Sequence, residues 1–196
     1  AYFANKALQA YGLKEIEAQQ YRWLVGDGAA ELVKRILVIS GDPEMKKFDE
    51  VYQLYKQSYD DDFLYLTDAY PGILDTLVEL KKRSIRLGVL SNKPHPTTCK
   101  VVESLFGSGF FDCCYGQRPE MPLKPDPSML LNILKEFGVM PEECLYFGDT
   151  AVDMLTGKRA GVKTVGVLWG FRDKEELEAH EADVIVAHPF EILKLI

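Results

Sequence analysis

The hydrophobic pattern of this chain changes abruptly near Asp68-Ala69-Tyr70-Pro71-Gly72. Before that point apolar residues recur every three or four positions, which predicts helices and almost no strand. Beyond it, short β-rich runs alternate with amphipathic helical segments, at residues 87–90, 111–115, 144–147, 164–168 and 183–186. Such alternation predicts a doubly wound, Rossmann-like α/β fold with a mostly parallel sheet. We therefore expect an α-helical domain over residues 1–68 and an α/β domain over residues 69–196.

Two helices of the α/β part have ends that can be read from the sequence. Asp126 is suited to cap a helix N-terminus with Pro127 at the first helical position, and Gly138 is suited to end that helix. A second helix is expected to begin near Thr150 and to stop at Gly161, where a left-handed cap favours glycine.

The charge and cysteine content narrow the class of partner. With 23 Lys and Arg against 30 Asp and Glu, the net charge is −7, which opposes binding to nucleic acid or to an anionic membrane. No apolar run approaches the roughly 20 residues of a membrane helix. The four cysteines show no CxxC spacing, which favours free thiols in the cytoplasm. We expect a monomer or homodimer that acts on a small molecule.

Ligands of doubly wound sheets bind at the carboxyl ends of the strands, so polar residues that follow the apolar runs are candidate site residues. Asp149 directly follows one run, and Asp153 lies four residues further on. If a helix begins between them, both carboxylates turn toward one point, as a magnesium (Mg²⁺) site would require. The same two residues also fit a helix cap and an exposed helix carboxylate.

Two further segments follow predicted strands. Lys124 is bracketed by prolines that restrict the backbone around it, although a solvated lysine in a Pro-rich loop is also common. The hydroxyl of Ser91, together with the backbone N–H groups of Ser91 and Asn92, would suit a phosphate, although Ser91-Asn92-Lys93-Pro94 is also an ordinary turn sequence. Because all these residues follow strands, we expect them to converge on one anion and one cation.

These segments resemble the motifs of the haloacid dehalogenase superfamily of hydrolases, and most closely those of its phosphoglycolate phosphatase group. The matching segments are Leu90-Ser91-Asn92-Lys93-Pro94, Leu123-Lys124-Pro125-Asp126-Pro127, and Tyr146-Phe147-Gly148-Asp149-Thr150 with Asp153. The resemblance implies that Asp149 and Asp153 hold Mg²⁺, and that Ser91 and Lys124 balance the charge of the phosphoryl oxygens. It also implies that Asn92 and Lys93 bind the substrate.

The helical segment resembles the cap domain of the same group, with Val25-Gly26-Asp27-Gly28-Ala29 followed by Leu32-Val33-Lys34-Arg35. The resemblance implies that residues 1–68 form a mobile lid. In that lid Arg35 would bind a substrate carboxylate through a bidentate fork, although an exposed helix arginine is the alternative.

The family's first motif, an Asp-x-Asp pair on the opening strand that supplies the nucleophile, has no counterpart in this sequence. The resemblance places that strand in the middle of the sheet, between the strands that end at Ser91 and at Phe147. We therefore expect a further strand upstream of Ala1, without which the chain lacks its nucleophile and is inactive. Central strands left without partners would otherwise have unsatisfied backbone groups.

The resemblance predicts a Mg²⁺-dependent phosphatase that hydrolyses a small phosphomonoester, phosphoglycolate first, through an aspartyl-phosphate intermediate. A pyrophosphatase or a sugar phosphomutase of the same fold is an alternative, and haloalkanoic acid dehalogenation is a further one. A non-catalytic phosphate-binding module is the alternative of a different class, if the protein begins at Ala1.

Overall fold

The computed structural model describes all 196 residues, Ala1–Ile196. The chain divides into two compact units, Ala1–Thr67 and Asp68–Ile196. The boundary predicted from the Pro-Gly segment lay one residue further on, after residue 68. None of the helices is both long and apolar enough to cross a bilayer.

The first unit consists of helices joined by loops, without a strand. Its helices are α1 (Tyr2–Ala10), α2 (Tyr21–Leu24), α3 (Ala29–Ser40) and α4 (Phe48–Asp61), with a 3-10 turn at Ala18–Gln20. Helix α3 ends at Gly41, whose φ of 104° places it in the left-handed region that glycine adopts readily. The apolar faces meet in one cluster that includes Leu8, Val33, Ile36, Leu37 and Val51, all fully buried.

The second unit contains the predicted parallel strands and the helices between them. Its elements are α5 (Ile73–Lys82), β1 (Gly88–Pro94), α6 (His95–Phe106), β2 (Cys113–Gln117), α7 (Ser128–Phe137), β3 (Leu145–Gly148), α8 (Ala151–Ala160), β4 (Lys163–Val167), α9 (Lys174–Ala179) and β5 (Val184–Val186). Two short 3-10 helices lie at Pro141–Glu143 and Pro189–Lys194. Every strand pair is parallel, so the α/β prediction is confirmed.

The strands form two separate hydrogen-bonded sheets, β1-β2 and β3-β4-β5. Between β1 and β3 lies a cavity of about 740 Å³, whose lining includes Leu90 of β1, Phe147 of β3, Leu77 of α5 and Leu130 of α7. The inner edges of β1 and β3 therefore have no strand partner and border an apolar space.

The helix ends of this unit agree with the sequence except at one position. Helix α7 begins at Ser128 and not at Pro127, because the first backbone hydrogen bond runs from Leu131 N to the carbonyl of Pro127. The Asp126 carboxylate still accepts from Ser128 N, at 2.9 Å. Gly138 ends α7 in the left-handed region, as predicted. Helix α8 likewise has Thr150 as its N-cap and Gly161 as its C-cap.

Candidate active site

Lys124 connects the ends of two strands that belong to different sheets. Its Nζ donates to Asp153 Oδ1 at 2.7 Å and lies 3.5 Å from the carbonyl oxygen of Leu90. Leu90 lies in β1 directly before Ser91, whereas Asp153 lies in the first turn of α8, just after β3. The structure therefore brings Lys124, the end of β1 and the segment after β3 together at one edge of the fold.

Asn92 holds the backbone of Lys124 on both sides of the residue. Its Nδ2 donates to the Lys124 carbonyl at 3.1 Å, and its Oδ1 accepts from Lys124 N at 2.8 Å. The Asn92 side chain is buried, so these bonds are shielded from competing water. The Oδ1 acceptor and one of the two Nδ2 donors of Asn92 are thus used to hold the backbone of Lys124.

The two oxygens of Asp153 are both engaged by protein donors. Oδ1 faces Lys124 Nζ and the Tyr146 hydroxyl, the latter at 3.4 Å. Oδ2 accepts from the backbone N of Asp149 and of Thr150 and from the Thr150 hydroxyl, at 3.2, 3.2 and 2.8 Å. A carboxylate has about four lone-pair sites, and these contacts occupy them. Ligation of Mg²⁺ by Asp153 stays a prediction, and the structure gives this carboxylate a different set of partners.

Lys124 and Asp153 form a buried ion pair. Their side chains are only 12% and 8% exposed. Burial alone lowers the pKa of Lys124, but Tyr146 and Asp153 outweigh it, and that pKa is raised. Burial likewise opposes ionisation of Asp153, yet Lys124 and the Thr150 hydroxyl hold the pKa of Asp153 below its usual value. Both groups are therefore charged at neutral pH.

Tyr146 completes the polar cluster from within β3. Burial raises the pKa of its hydroxyl, which stays protonated as a donor to Asp153. Sequence reasoning missed this role, because an aromatic residue in an apolar run is typical of a core position. Its only signal is that Tyr146 lies three residues before Asp149, in the strand that leads to this aspartate.

Glycine at position 148 lets α8 start close behind β3. A Cβ built on Gly148 would lie 2.0 Å from the Cβ of Asp153. The close approach lets the Asp153 carboxylate accept from the backbone N and the hydroxyl of Thr150, while Asp153 N donates to the Thr150 carbonyl. The Gly-Asp-Thr-x-x-Asp spacing thus fixes the orientation of both aspartates.

Asp149 has a different environment from Asp153. Its Oδ2 accepts from Phe171 N at 2.8 Å, and Gly170 packs so closely that a Cβ there would lie 2.2 Å from the same oxygen. Burial raises the pKa of Asp149 above its usual value. The contacts with residues 170–171 could not be found from the sequence, because those residues follow a different strand.

The donor set at Asp149 fits Mg²⁺. The ion takes hard oxygen ligands and commonly binds through one or two carboxylates, with waters and a substrate phosphate completing its shell. Asp149 offers one such oxygen. No cluster of three or more His, Cys, Asp and Glu side chains forms an all-protein metal site.

Ser91-Asn92-Lys93 lies where the β1 strand becomes irregular. Regular pairing with β2 is interrupted between Leu90 and Pro94. Within this stretch the Ser91 hydroxyl accepts from Lys93 N at 3.1 Å, which forms a tight local turn. Ser91 therefore lies one residue beyond the Leu90 carbonyl that Lys124 approaches.

Arg35 lies in the helical unit and already has two acceptors. Its Nη2 is 2.5 Å from Asp27 Oδ2, and its Nη1 donates to the Leu24 carbonyl at 2.9 Å. About a third of each charged side chain is exposed. Substrate binding by Arg35 stays a prediction, and it would require the guanidinium to leave or share the Asp27 carboxylate.

Comparison with known proteins identifies similar sequences and structures. A model of the family described as haloacid dehalogenase-like hydrolase matches residues 1–167. A phosphoglycolate phosphatase of Aquifex aeolicus is 32% identical over 192 residues, which is 97% of this chain and 85% of that protein. An N-acetylmuramic acid 6-phosphate phosphatase of Pseudomonas aeruginosa is 30% identical and covers 95% of this chain and 82% of its own length. A haloacid dehalogenase-like family hydrolase of Streptococcus pneumoniae superposes with a TM-score of 0.86 at 26% identity, over 99% of this chain and 89% of that one.

Proposed function

This chain belongs to the haloacid dehalogenase-like hydrolase family, and we propose that it hydrolyses a small phosphomonoester such as phosphoglycolate. The observation that carries the proposal is the meeting of Lys124, the Ser91 segment and Asp149 at one edge of the fold. The relatives named above as a phosphoglycolate phosphatase and an N-acetylmuramic acid 6-phosphate phosphatase support the substrate class. Four free cysteines accord with a reducing compartment such as the cytoplasm.

Lys124 and Ser91 supply the positive charge and the hydrogen bond for the phosphoryl oxygens. During phosphoryl transfer charge spreads over these oxygens, so a fixed ammonium in a shielded site lowers the barrier more than it would in water. Asn92 and Asp153 hold Lys124 by its backbone and by its ammonium group respectively. We therefore assign Asn92 and Asp153 to positioning Lys124.

Asp149 is the residue that would hold Mg²⁺. When bound, the ion supplies positive charge to the phosphoryl oxygens and helps to orient the substrate. The backbone N of Phe171 and the absence of a side chain at Gly170 keep the Asp149 carboxylate in place.

The nucleophile in this proposal is an aspartate of the Asp-x-Asp segment expected upstream of Ala1. Attack of its carboxylate on phosphorus would expel the alcohol and form an aspartyl-phosphate, which water then hydrolyses to free phosphate. The apolar cavity between the unpaired edges of β1 and β3 supports this placement, because a parallel strand there would pair with both edges. Its carboxyl end would then lie between Ser91 and Asp149.

The test is phosphate release by the full-length protein with Mg²⁺, over a panel of phosphoglycolate, sugar phosphates and pyrophosphate. We expect turnover of small phosphomonoesters, and we expect Asp149→Asn to abolish it while leaving the unfolding midpoint unchanged. Asp75→Asn, in the first turn of α5, is the control for removal of one carboxylate. Isomerised product would favour a mutase, turnover of pyrophosphate alone a pyrophosphatase, and phosphate binding without turnover a binding module. Full activity of Asp149→Asn would remove Asp149 from the site.

A further inference from the structure

Arg118 lies at the same carboxyl edge as the candidate active site, one strand away. It directly follows β2, whose last residue, Gln117, is paired with Pro94 at the end of β1. Gly116 brings the two segments together, because a Cβ there would lie 2.6 Å from His95 Cα and 2.7 Å from the Lys93 carbonyl. Arg118 and His95 are thus neighbours of Lys93, beside the irregular end of β1.

The Arg118 guanidinium is placed by neutral groups only. Its Nη2 lies 2.8 Å from His95 Nε2, and its Cζ lies 5.3 Å from the centre of the Tyr115 ring. That ring is held in turn by a hydrogen bond from its hydroxyl to Glu136, at 2.6 Å. Arg118 makes no ion pair with any carboxylate in the structure. A guanidinium carries five N–H donors, so most of its donors are left for another acceptor.

His95 is a poor acceptor for this arginine. Its Nδ1 faces Gly116 N at 3.2 Å while its Nε2 faces Arg118. Both neighbours are donors, but a neutral imidazole accepts at only one of its nitrogens. Burial and the charge of Arg118 lower the pKa of His95, which keeps the ring neutral. The imidazole therefore orients Arg118 without neutralising it.

The two arginines considered for an anionic substrate group thus differ in their partners. Arg35 is already paired with Asp27, and substrate binding would compete with that ion pair. Arg118 has no such competitor and directly follows β2 at the edge that carries Ser91 and Lys93. A planar guanidinium in this state is suited to bidentate binding of a carboxylate.

We propose that Arg118, oriented by His95, binds the carboxylate of a short phosphorylated carboxylic acid whose phosphoryl group lies at Ser91, Lys124 and Asp149. The inference rests on the proposed function and adds the residue that selects among phosphomonoesters. Substrates that end in a carboxylate gain the contact with Arg118, whereas uncharged analogues of the same length do not.

The activity test compares phosphoglycolate with 2-hydroxyethyl phosphate, which has a hydroxyl in place of the carboxylate. For the full-length protein, Arg118→Ala should lower kcat/KM for phosphoglycolate by about 10- to 100-fold, the usual worth of a charge-assisted contact. For 2-hydroxyethyl phosphate the change should stay within about 3-fold. Arg118→Lys should recover only part of the loss, because lysine keeps the charge but not the fork.

Arg86→Ala is the matched control, because Arg86 also lies over an aromatic ring, with its Cζ 5.2 Å from the centre of Phe137, but precedes β1 at the amino end. It should leave the ratio of the two kcat/KM values unchanged. Equal losses of Arg118→Ala on both substrates, or no loss on either, would overturn the role of Arg118. If the unmodified protein hydrolyses 2-hydroxyethyl phosphate as well as phosphoglycolate, only the role of Arg118 fails. If it hydrolyses neither, the proposed function fails as well.

A binding measurement on the unmodified protein keeps the inference testable if the variants fold poorly. Phosphonoacetate carries the same two anionic groups but has no cleavable ester, and ethylphosphonate lacks the carboxylate. Titration with phosphonoacetate should shift the NMR signal of the Arg118 side-chain Nε–H, which is assigned through its correlations to the backbone of Arg118 in the unmodified protein. Ethylphosphonate should leave that signal in place. No shift at saturating phosphonoacetate would refute the contact.

Discussion

Substitution of Asp153 by asparagine tests the most deeply buried charge pair of the site. The change keeps the shape of the side chain but removes the charge that faces Lys124 at 2.7 Å. It leaves a lysine that is only 12% exposed without its counter-ion, and it turns one acceptor oxygen into an NH2 group that faces donors. Breaking a buried pair from one side costs about 3–5 kcal/mol of unfolding free energy.

The assay is urea unfolding of the full-length protein, followed by the fluorescence of Trp169 in a Trp23→Phe background so that the α/β unit alone is observed. With an m-value of about 2 kcal/mol per M, a loss of about 4 kcal/mol moves the midpoint down by about 2 M urea. The control is Glu178→Gln, which breaks the Lys174–Glu178 pair, where both side chains are more than half exposed. That variant should lose no more than about 0.5 kcal/mol.

A double-mutant cycle and a pH series complete the test. Lys124→Met combined with Asp153→Asn removes both charges, so the double variant should lose less free energy than the two single losses added together. The pKa of Asp153 is lowered by folding, so its contribution is present above the ordinary carboxyl pKa of about 3.9 and disappears as the pH falls through the lower folded value. A loss below 1 kcal/mol for Asp153→Asn, or strict additivity in the cycle, would refute the buried-pair interpretation.

Three further substitutions test individual contacts. Asn92→Ala leaves the backbone N–H and carbonyl of Lys124 without the Asn92 side chain as partner, and should cost about 2–4 kcal/mol of unfolding free energy in urea. An unfolding midpoint like that of the unmodified protein would show that these two hydrogen bonds do not hold the Lys124 segment. Gly170→Ala adds a Cβ that would lie only 2.2 Å from Asp149 Oδ2, so the carboxylate must move. We expect kcat/KM to fall by up to about 100-fold. Unchanged kinetics would show that the carboxylate tolerates displacement. Asp126→Ala removes the acceptor of Ser128 N just before α7 and should lower the urea midpoint slightly in the same unfolding assay, with no change indicating that this hydrogen bond is dispensable.

The sequence predicted the positions of the strands more closely than the pairing between them. The apolar run at 164–168 agrees with the observed strand Lys163–Val167 to within one residue. The run at 87–90 stops short of β1, which continues to Pro94 because Gln117 pairs with that residue. Polar residues past the end of an apolar run give no sign of such pairing, since it depends on a strand that lies more than 20 residues away along the chain.

Side-chain partners were harder to predict than positions. The sequence indicated that Lys124 and Asp149 would meet, because both follow strands of one predicted sheet. It did not indicate that Asn92 would hold the Lys124 backbone or that Tyr146 would reach Asp153. Asn92 and Lys124 are 32 residues apart, and no local pattern records which of several polar groups at one sheet edge bond to each other.

Residue type and spacing alone did not separate the roles of Asp149 and Asp153, because those roles depend on the donors that surround each carboxylate. Asp153 accepts on both oxygens from side-chain donors, one of them a buried ammonium group, whereas Asp149 accepts from the backbone N of Phe171 and faces no ammonium group at hydrogen-bond distance. A carboxylate that is already paired with an ammonium group gains little from a further cation, whereas one without a cationic partner gains more from a metal ion. Loss of Asp153 should therefore act through the position of Lys124 and through stability. Loss of Asp149 should act on catalysis with the fold intact.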